Sequence, residues 1–137
     1  MKLDYKFIKE ILLTIENQYS HEMRNYDLMK ALNVISSNDA DGKVNNDLIE
    51  KYVGHIKILW EDSILKSSSD NHGFSRITGG GYQIADPRYS ITKSGYEFLE
   101  MLKNDTILNK IKDFSINNAL LIGRELLIKL AVSKLGM

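Results

Sequence analysis

Three side chains in one helical stretch, Lys51, His55 and Lys57, are the groups best suited to chemistry in this sequence, together with Lys66, His72 and Arg76 in the segment that follows. Cations in this pattern suit anions. Phosphate contacts position a protein on DNA, and contacts to base edges confer specificity. The pattern points to a helix over 47–62 lying in the major groove, with the following segment touching the backbone as a wing. Glu50 and Glu61 share that stretch, so the same residues also read as an ordinary solvated helix face.

Other chemistries find less support. The histidines are His21, His55 and His72, which share no ligand spacing and form no His-Glu-x-x-His pair, so no metal site is expected. A packing hydrogen bond to Glu61 or to a loop carbonyl is the plainer role for His55. No Gly-x-Ser-x-Gly elbow is present, and Ser94-Gly95 falls in the first turn of a helix. Gly79-Gly80-Gly81 lacks the Gly-Lys-Ser/Thr of a phosphate loop and reads as a mobile tip. Asp39 and Asp41 beside Gly42 hint at a calcium loop but lack its closing glutamate, so a polar turn accounts for them. No catalytic residue and no cofactor is expected. Trp60 and the tyrosines could stack on bases, yet Tyr52, Ile56 and Trp60 follow the spacing of a buried stripe.

These side chains need elements to hold them. Residues 4–18 predict a helix capped by Asp4, with Phe7, Ile8, Ile11, Leu12 and Ile15 on one face. Residues 19–46 carry little signal beyond a short helix near Asp27–Asn33 and a loop from Ser36 to Gly42. The helix over 47–62, capped by Asn46, has an apolar stripe of Leu48, Ile49, Tyr52, Val53, Ile56, Leu59 and Trp60, with His55 at its border. Gly54 inside it costs about 1 kcal/mol relative to alanine. It implies close packing on a neighbouring helix or close approach of a partner. Residues 64–91 predict two or three short strands and flexible turns, a hairpin or wing. Thr92 caps a helix to about Lys103, with Tyr96, Leu99 and Leu102 inward, Phe98 near the edge and Gly95 allowing close contact. A short helix through Lys112 and a final helix over 116–134 follow.

The chain has 137 residues, enough for one domain with a real core. We expect a single domain over 1–137, with a core over about 1–103 and C-terminal helices over about 104–137. Lys plus Arg and Asp plus Glu number 18 each, so the net charge is zero. A dedicated nucleic-acid binder usually shows basic excess. Cysteine is absent, which removes disulfides and thiolate chemistry and fits a reducing cytoplasm. The start lacks the apolar region of a signal peptide. Charged residues interrupt the most apolar stretch, 116–135, so no membrane contact is expected and the location expected is cytoplasmic.

The order helix, short helix, helix, hairpin, then helices predicts a mainly α protein with a small β-hairpin, a winged helix-turn-helix-like domain with extra C-terminal helices. Particular motifs point the same way. Met1-Lys2-Leu3-Asp4 leads into Ile11-Leu12-Leu13-Thr14-Ile15-Glu16. The middle stretch runs Gly54-His55-Ile56-Lys57-Ile58-Leu59-Trp60-Glu61-Asp62-Ser63-Ile64-Leu65. Ile91-Thr92-Lys93-Ser94-Gly95-Tyr96-Glu97-Phe98-Leu99 follows, and then Asn104-Asp105-Thr106-Ile107-Leu108 and Lys134-Leu135-Gly136. In order and spacing these resemble the signatures of the domain of unknown function 2513 family, small bacterial and phage proteins. The family's middle signature has tyrosine where Gly54 stands and Ala-Gly where Asp62-Ser63 stand. The resemblance covers most of the chain outside 19–46. It implies a winged-helix-like fold and a phage or prophage setting, and it brings no reaction.

Two functions follow as expectations. The first is a non-enzymatic, dimeric, DNA-binding regulator using Lys51, His55, Lys57, Lys66, His72 and Arg76. The second is a protein-interaction module, such as a phage protein that binds or inhibits a host factor. A continuous positive stripe on 47–62 and the hairpin favours DNA, whereas mixed charge with exposed apolar surface favours a protein partner. Leu120, Leu121, Leu127, Leu130 and Leu135 on the last helix are expected to complete the core or to form an isologous homodimer.

Overall fold

A computed structural model describes residues 2–36 and 44–134. The loop residues Asp39, Asp41 and Gly42, and Leu135 and Gly136 at the far end, lie outside the described residues.

The first helix, α1 (Tyr5–Glu16), forms because its apolar residues recur at helical spacing and Asp4 caps it, its carboxylate accepting the Phe7 N–H at 3.1 Å. Ile8, Ile11, Leu12 and Ile15 are fully buried and make it the central packing element. A three-residue strand, β1 (Glu22–Arg24), leads into α2 (Asn25–Ala31), and α3 (Asn46–Glu61) follows. The cap of α3 is Asn45, whose side chain accepts the Asp47 N–H, and Asn46 is already helical. Its buried stripe is Ile49, Tyr52, Val53, His55, Ile56 and Leu59, and Trp60 is only half-buried.

The segment expected to form two or three strands holds four: β2 (Leu65–Ser67), β3 (Phe74–Arg76), β4 (Tyr82–Ile84) and β5 (Arg88–Ile91). Two small antiparallel sheets result, one in the order β1-β5-β2 and one a β3–β4 hairpin. Gly79, Gly80 and Gly81 all have positive φ at the hairpin's tip. The described residues are therefore mixed α and β, six helices with small antiparallel sheets, which is roughly consistent with a mainly α protein carrying a hairpin but adds a three-stranded sheet to it. The difference arises at β1, too short for an alternating pattern, whose middle residue Met23 is buried opposite Tyr89.

Three helices complete the chain: α4 (Lys93–Lys103), α5 (Asp105–Ile111) and α6 (Ile116–Lys134). Thr92 caps α4 through the Gly95 N–H at 2.9 Å. A Cβ at Gly95 would run into the Ile64 carbonyl oxygen and lie 2.7 Å from the Ile91 methyl, so this turn packs backbone on backbone. That contact sets the rotation of α4. Phe98, Leu99, Met101 and Leu102 are buried, whereas Tyr96, expected inward, is exposed. On α6 only Ile116, Ala119, Leu120 and Gly123 are buried, with Gly123 against Met101. Leu120, one of the expected dimer residues, is thus core. Leu127 is half-buried, and Leu121 and Leu130 are exposed, as are Ile128 and Val132. Among the described residues no helix is long and apolar enough to cross a membrane.

A buried polar relay ties these elements together. Asn25 is fully buried, accepts the Tyr52 hydroxyl at 2.8 Å and donates its amide to the Ala85 carbonyl at 2.8 Å. It joins α2, α3 and the β4–β5 connection, and its polar atoms are satisfied where loss of a partner would be costly.

Candidate functional site

The exposed stripe of α3 is set by what its other side buries. Asp47, Glu50, Lys57 and Glu61 face outward, with Gly54 half-exposed among them, a stripe of three acids and one base. Much of this stripe lines the floor of a groove of about 1160 Å³. One wall is the chain leading into α1 together with the end of α5, including Lys2, Lys6, Leu108 and Lys112. The other wall is the β3–β4 hairpin and the residues before it, including His72, Phe74, Arg76 and Tyr82.

The walls are tied to the floor by polar contacts. Lys51 pairs with Asp4 at 2.7 Å and lies over the Phe7 ring, 4.8 Å from its centre. This lysine holds the Asp4 carboxyl below the usual carboxylate range. The Asp4 N–H donates to His55 Nε2 at 2.9 Å, and His55 Nδ1 bonds the Lys51 carbonyl at 2.7 Å. On the opposite side Glu50 accepts from the Tyr82 hydroxyl at 2.6 Å and pairs with Arg76 at 3.4 Å. The Arg76 guanidinium also covers the Tyr82 ring at 5.0 Å.

Five of the six expected DNA contacts line this groove, and their environments differ from the expectation. Lys51 and Arg76 are neutralised by Asp4 and Glu50. His72 is half-buried between Trp60 and Phe74, and its Nδ1 accepts the Phe74 N–H at 3.3 Å. Burial first, and the nearby Lys57 cation second, lower its pKa, so it adds little positive charge at neutral pH. Of the expected contacts that line the groove, Lys57 alone stands exposed with no ion pair among the described residues.

His55 lines the groove but is buried, not at the border of an exposed face: its Nε2 accepts from Asp4 at the start of α1, and its Nδ1 bonds back within α3. Its bonding partners are the Asp4 amide and the Lys51 carbonyl, in place of Glu61 or a loop carbonyl. Burial is the main cause of its lowered pKa, which favours the neutral ring. Lys66 pairs across from Ser90, while its neighbours Leu65 and Ile91 point into the core. It therefore faces the outer side of the sheet, away from the groove.

Sequence reasoning missed the groove's other cations, Lys2, Lys6 and Lys112. They come from the first residues and from the end of α5, and nothing local signals that these segments meet. Among the described residues no group of three or more His, Cys, Asp or Glu is placed to hold a metal ion. The arrangement can bind: its charged floor has apolar edges at Val53, Phe74 and Leu108, each largely buried, with mixed charge around them. No family model matches the chain, and no curated protein or solved structure does either.

Proposed function

We propose that this chain is a winged-helix-type module that works by binding, without catalysis, and takes a segment of another protein in the groove over α3. The observation that carries the reading is the placement of α3. On a winged-helix reading it would be the reading helix, yet it forms the floor between two walls, and its outward stripe is mainly acidic. A helix that enters the major groove has to protrude and to present donors and cations. Mixed charge around apolar edges suits a protein partner instead.

The winged-helix assignment has two supports. The succession α1, β1, α2, α3, β2, the β3–β4 hairpin and β5, with sheet order β1-β5-β2, supports the reading as a winged helix-turn-helix. The motif order resembling the domain of unknown function 2513 family is the second. Ser63 stands where that signature carries glycine, and it adopts φ 59°, the region glycine favours. The partner would be a host or phage protein met in the cytoplasm. Two copies would associate through the exposed apolar residues of α6.

DNA binding is the second reading, favoured by the same topology and by Lys57 standing exposed on α3. Photo-crosslinking separates the two. A benzophenone side chain in place of Lys57 is expected to give a discrete protein adduct in cells, with none from the same probe in place of Glu10, an exposed residue of α1 outside the groove. Fluorescence anisotropy supplies the other arm. Binding to DNA that weakens roughly 10³-fold or more between low and moderate salt, and that Lys57→Glu abolishes, would overturn the protein reading.

A further inference from the structure

We infer that the segment received by the groove is acidic and carries at least one large apolar side chain; this rests on the groove being the interaction surface. The charges lead to it directly. Asp4 and Glu50 are cancelled within the groove by Lys51 and Arg76. Among the described residues, the ionised groups left along it without an ion pair are the exposed Lys2, Lys6, Lys57 and Lys112 against Asp47 and Asp113. Asp47 lies in the first turn of α3, where the helix N-terminus already offsets its charge. A ligand therefore meets a ring of lysines with few acids to balance them, and electrostatic complementarity selects carboxylates.

The floor specifies the rest of the segment. Gly54 is half-exposed on α3 within the groove, and Val53, Phe74 and Leu108, each largely buried, reach it only by their edges. A large apolar side chain seated there would bury surface that the surrounding lysine stems can also cover. Nucleic acid carries the right charge but fits the floor poorly. The Tyr82 ring is covered by Arg76 and its hydroxyl is held by Glu50, and Phe74 is buried, so neither ring offers a face for base stacking.

The test is a selection of short random peptides displayed on phage against the full chain, with the Gly54→Tyr chain as a counter-target. Gly54→Tyr puts a ring into the floor while improving helix propensity, so the variant is expected to fold. The expected result is enrichment of peptides rich in Asp and Glu around a Phe, Trp or Leu. These peptides should bind Lys57→Glu roughly 10-fold more weakly and fail to bind Gly54→Tyr. Enrichment of basic or purely polar peptides would overturn the inference, as would no enrichment over an uncoated surface or equal binding to Gly54→Tyr. Displacement of the peptides by duplex DNA would overturn the choice of peptide over nucleic acid. A protein adduct from position 57 alongside basic peptides would leave the groove as the interface and sink only its acidic preference. Absence of both would sink both.

Discussion

His55 accepts the backbone N–H of Asp4 through Nε2, and this 2.9 Å bond holds the start of α1 against the side of α3. With Nδ1–H donating to the Lys51 carbonyl, only the neutral tautomer satisfies both bonds. Protonation would remove the acceptor that Asp4 needs. The folded-state pKa of His55 lies below its ordinary value of 6.5, mainly through burial. The unfolded chain therefore takes up a proton first as the pH falls. This contribution to stability is whole above about pH 6.5 and declines below it, down to the folded-state pKa. His72 shifts in the same direction and adds to the slope. Urea unfolding followed between pH 7.5 and pH 5 should show stability falling, and a smaller slope in His55→Gln. An unchanged slope would remove His55 from this account.

Ser63 closes α3 with a left-handed residue, and the Ile64 N–H returns to the Leu59 carbonyl at 2.8 Å. A side chain in that conformation costs about 1 kcal/mol. Ser63→Gly is expected to raise stability by about 0.5–1 kcal/mol, after allowing for glycine's greater freedom in the unfolded chain. Thermal unfolding reads this directly, and a lower midpoint would contradict it.

Gly95 admits no side chain because the Ile64 carbonyl occupies the place of its Cβ. Gly95→Ala should destabilise by about 1–3 kcal/mol despite alanine's better helix propensity. Ser94→Ala, one residue away and only half-buried, is the control and should stay within about 0.5 kcal/mol.

Residues 124–134 of α6 are exposed apart from half-buried Leu126 and Leu127, and they include Ile128, Leu130 and Val132. Apolar residues around the whole helix call for a partner. Light scattering after gel filtration should show a dimer, and Ile128→Glu should give a monomer with unchanged thermal stability, since Ile128 makes no core contact. Truncation before Ile116 is a poorer test, because it also strips Ile116, Ala119 and Leu120 from the core. A wild-type monomer at high concentration would refute self-association.

Where apolar residues recur over several helical turns, the sequence was a good guide. The extents of α1 and α6 and the caps at Asp4 and Thr92 could all be read in advance. The failures share a physical cause, the meeting of distant segments. Strand β1 is only three residues long and becomes a strand by pairing with β5. His55 looks like a border residue until Asp4 arrives beside it. Phe98 and Tyr96 exchange places because Gly95 docks on Ile64. Of the groove, α3 and the hairpin were legible, but Lys2, Lys6 and Lys112 belong to a wall that only the folded chain assembles. A hint was available in Asp4 and Lys51, opposite charges each on a readable helix, but nothing in their spacing placed them together.

The two walls are fastened unequally. The α1 side has the Lys51–Asp4 pair, a backbone bond to a buried histidine and the Phe7 ring beneath the lysine. The hairpin side has the buried Phe74 against Tyr52 and the Tyr26 hydroxyl on the Ile84 carbonyl at its base, and towards its tip the Tyr82 hydroxyl and the Arg76–Glu50 pair, whose side chains are 73% and 62% exposed. Exposed pairs of this kind contribute about 0–1 kcal/mol and weaken with salt. The tip of the hairpin is thus held by weaker ties than its base or the opposite wall. A ligand carboxylate that drew Arg76 away from Glu50 would release one of those ties, so that entry itself would slacken the rim of the opening.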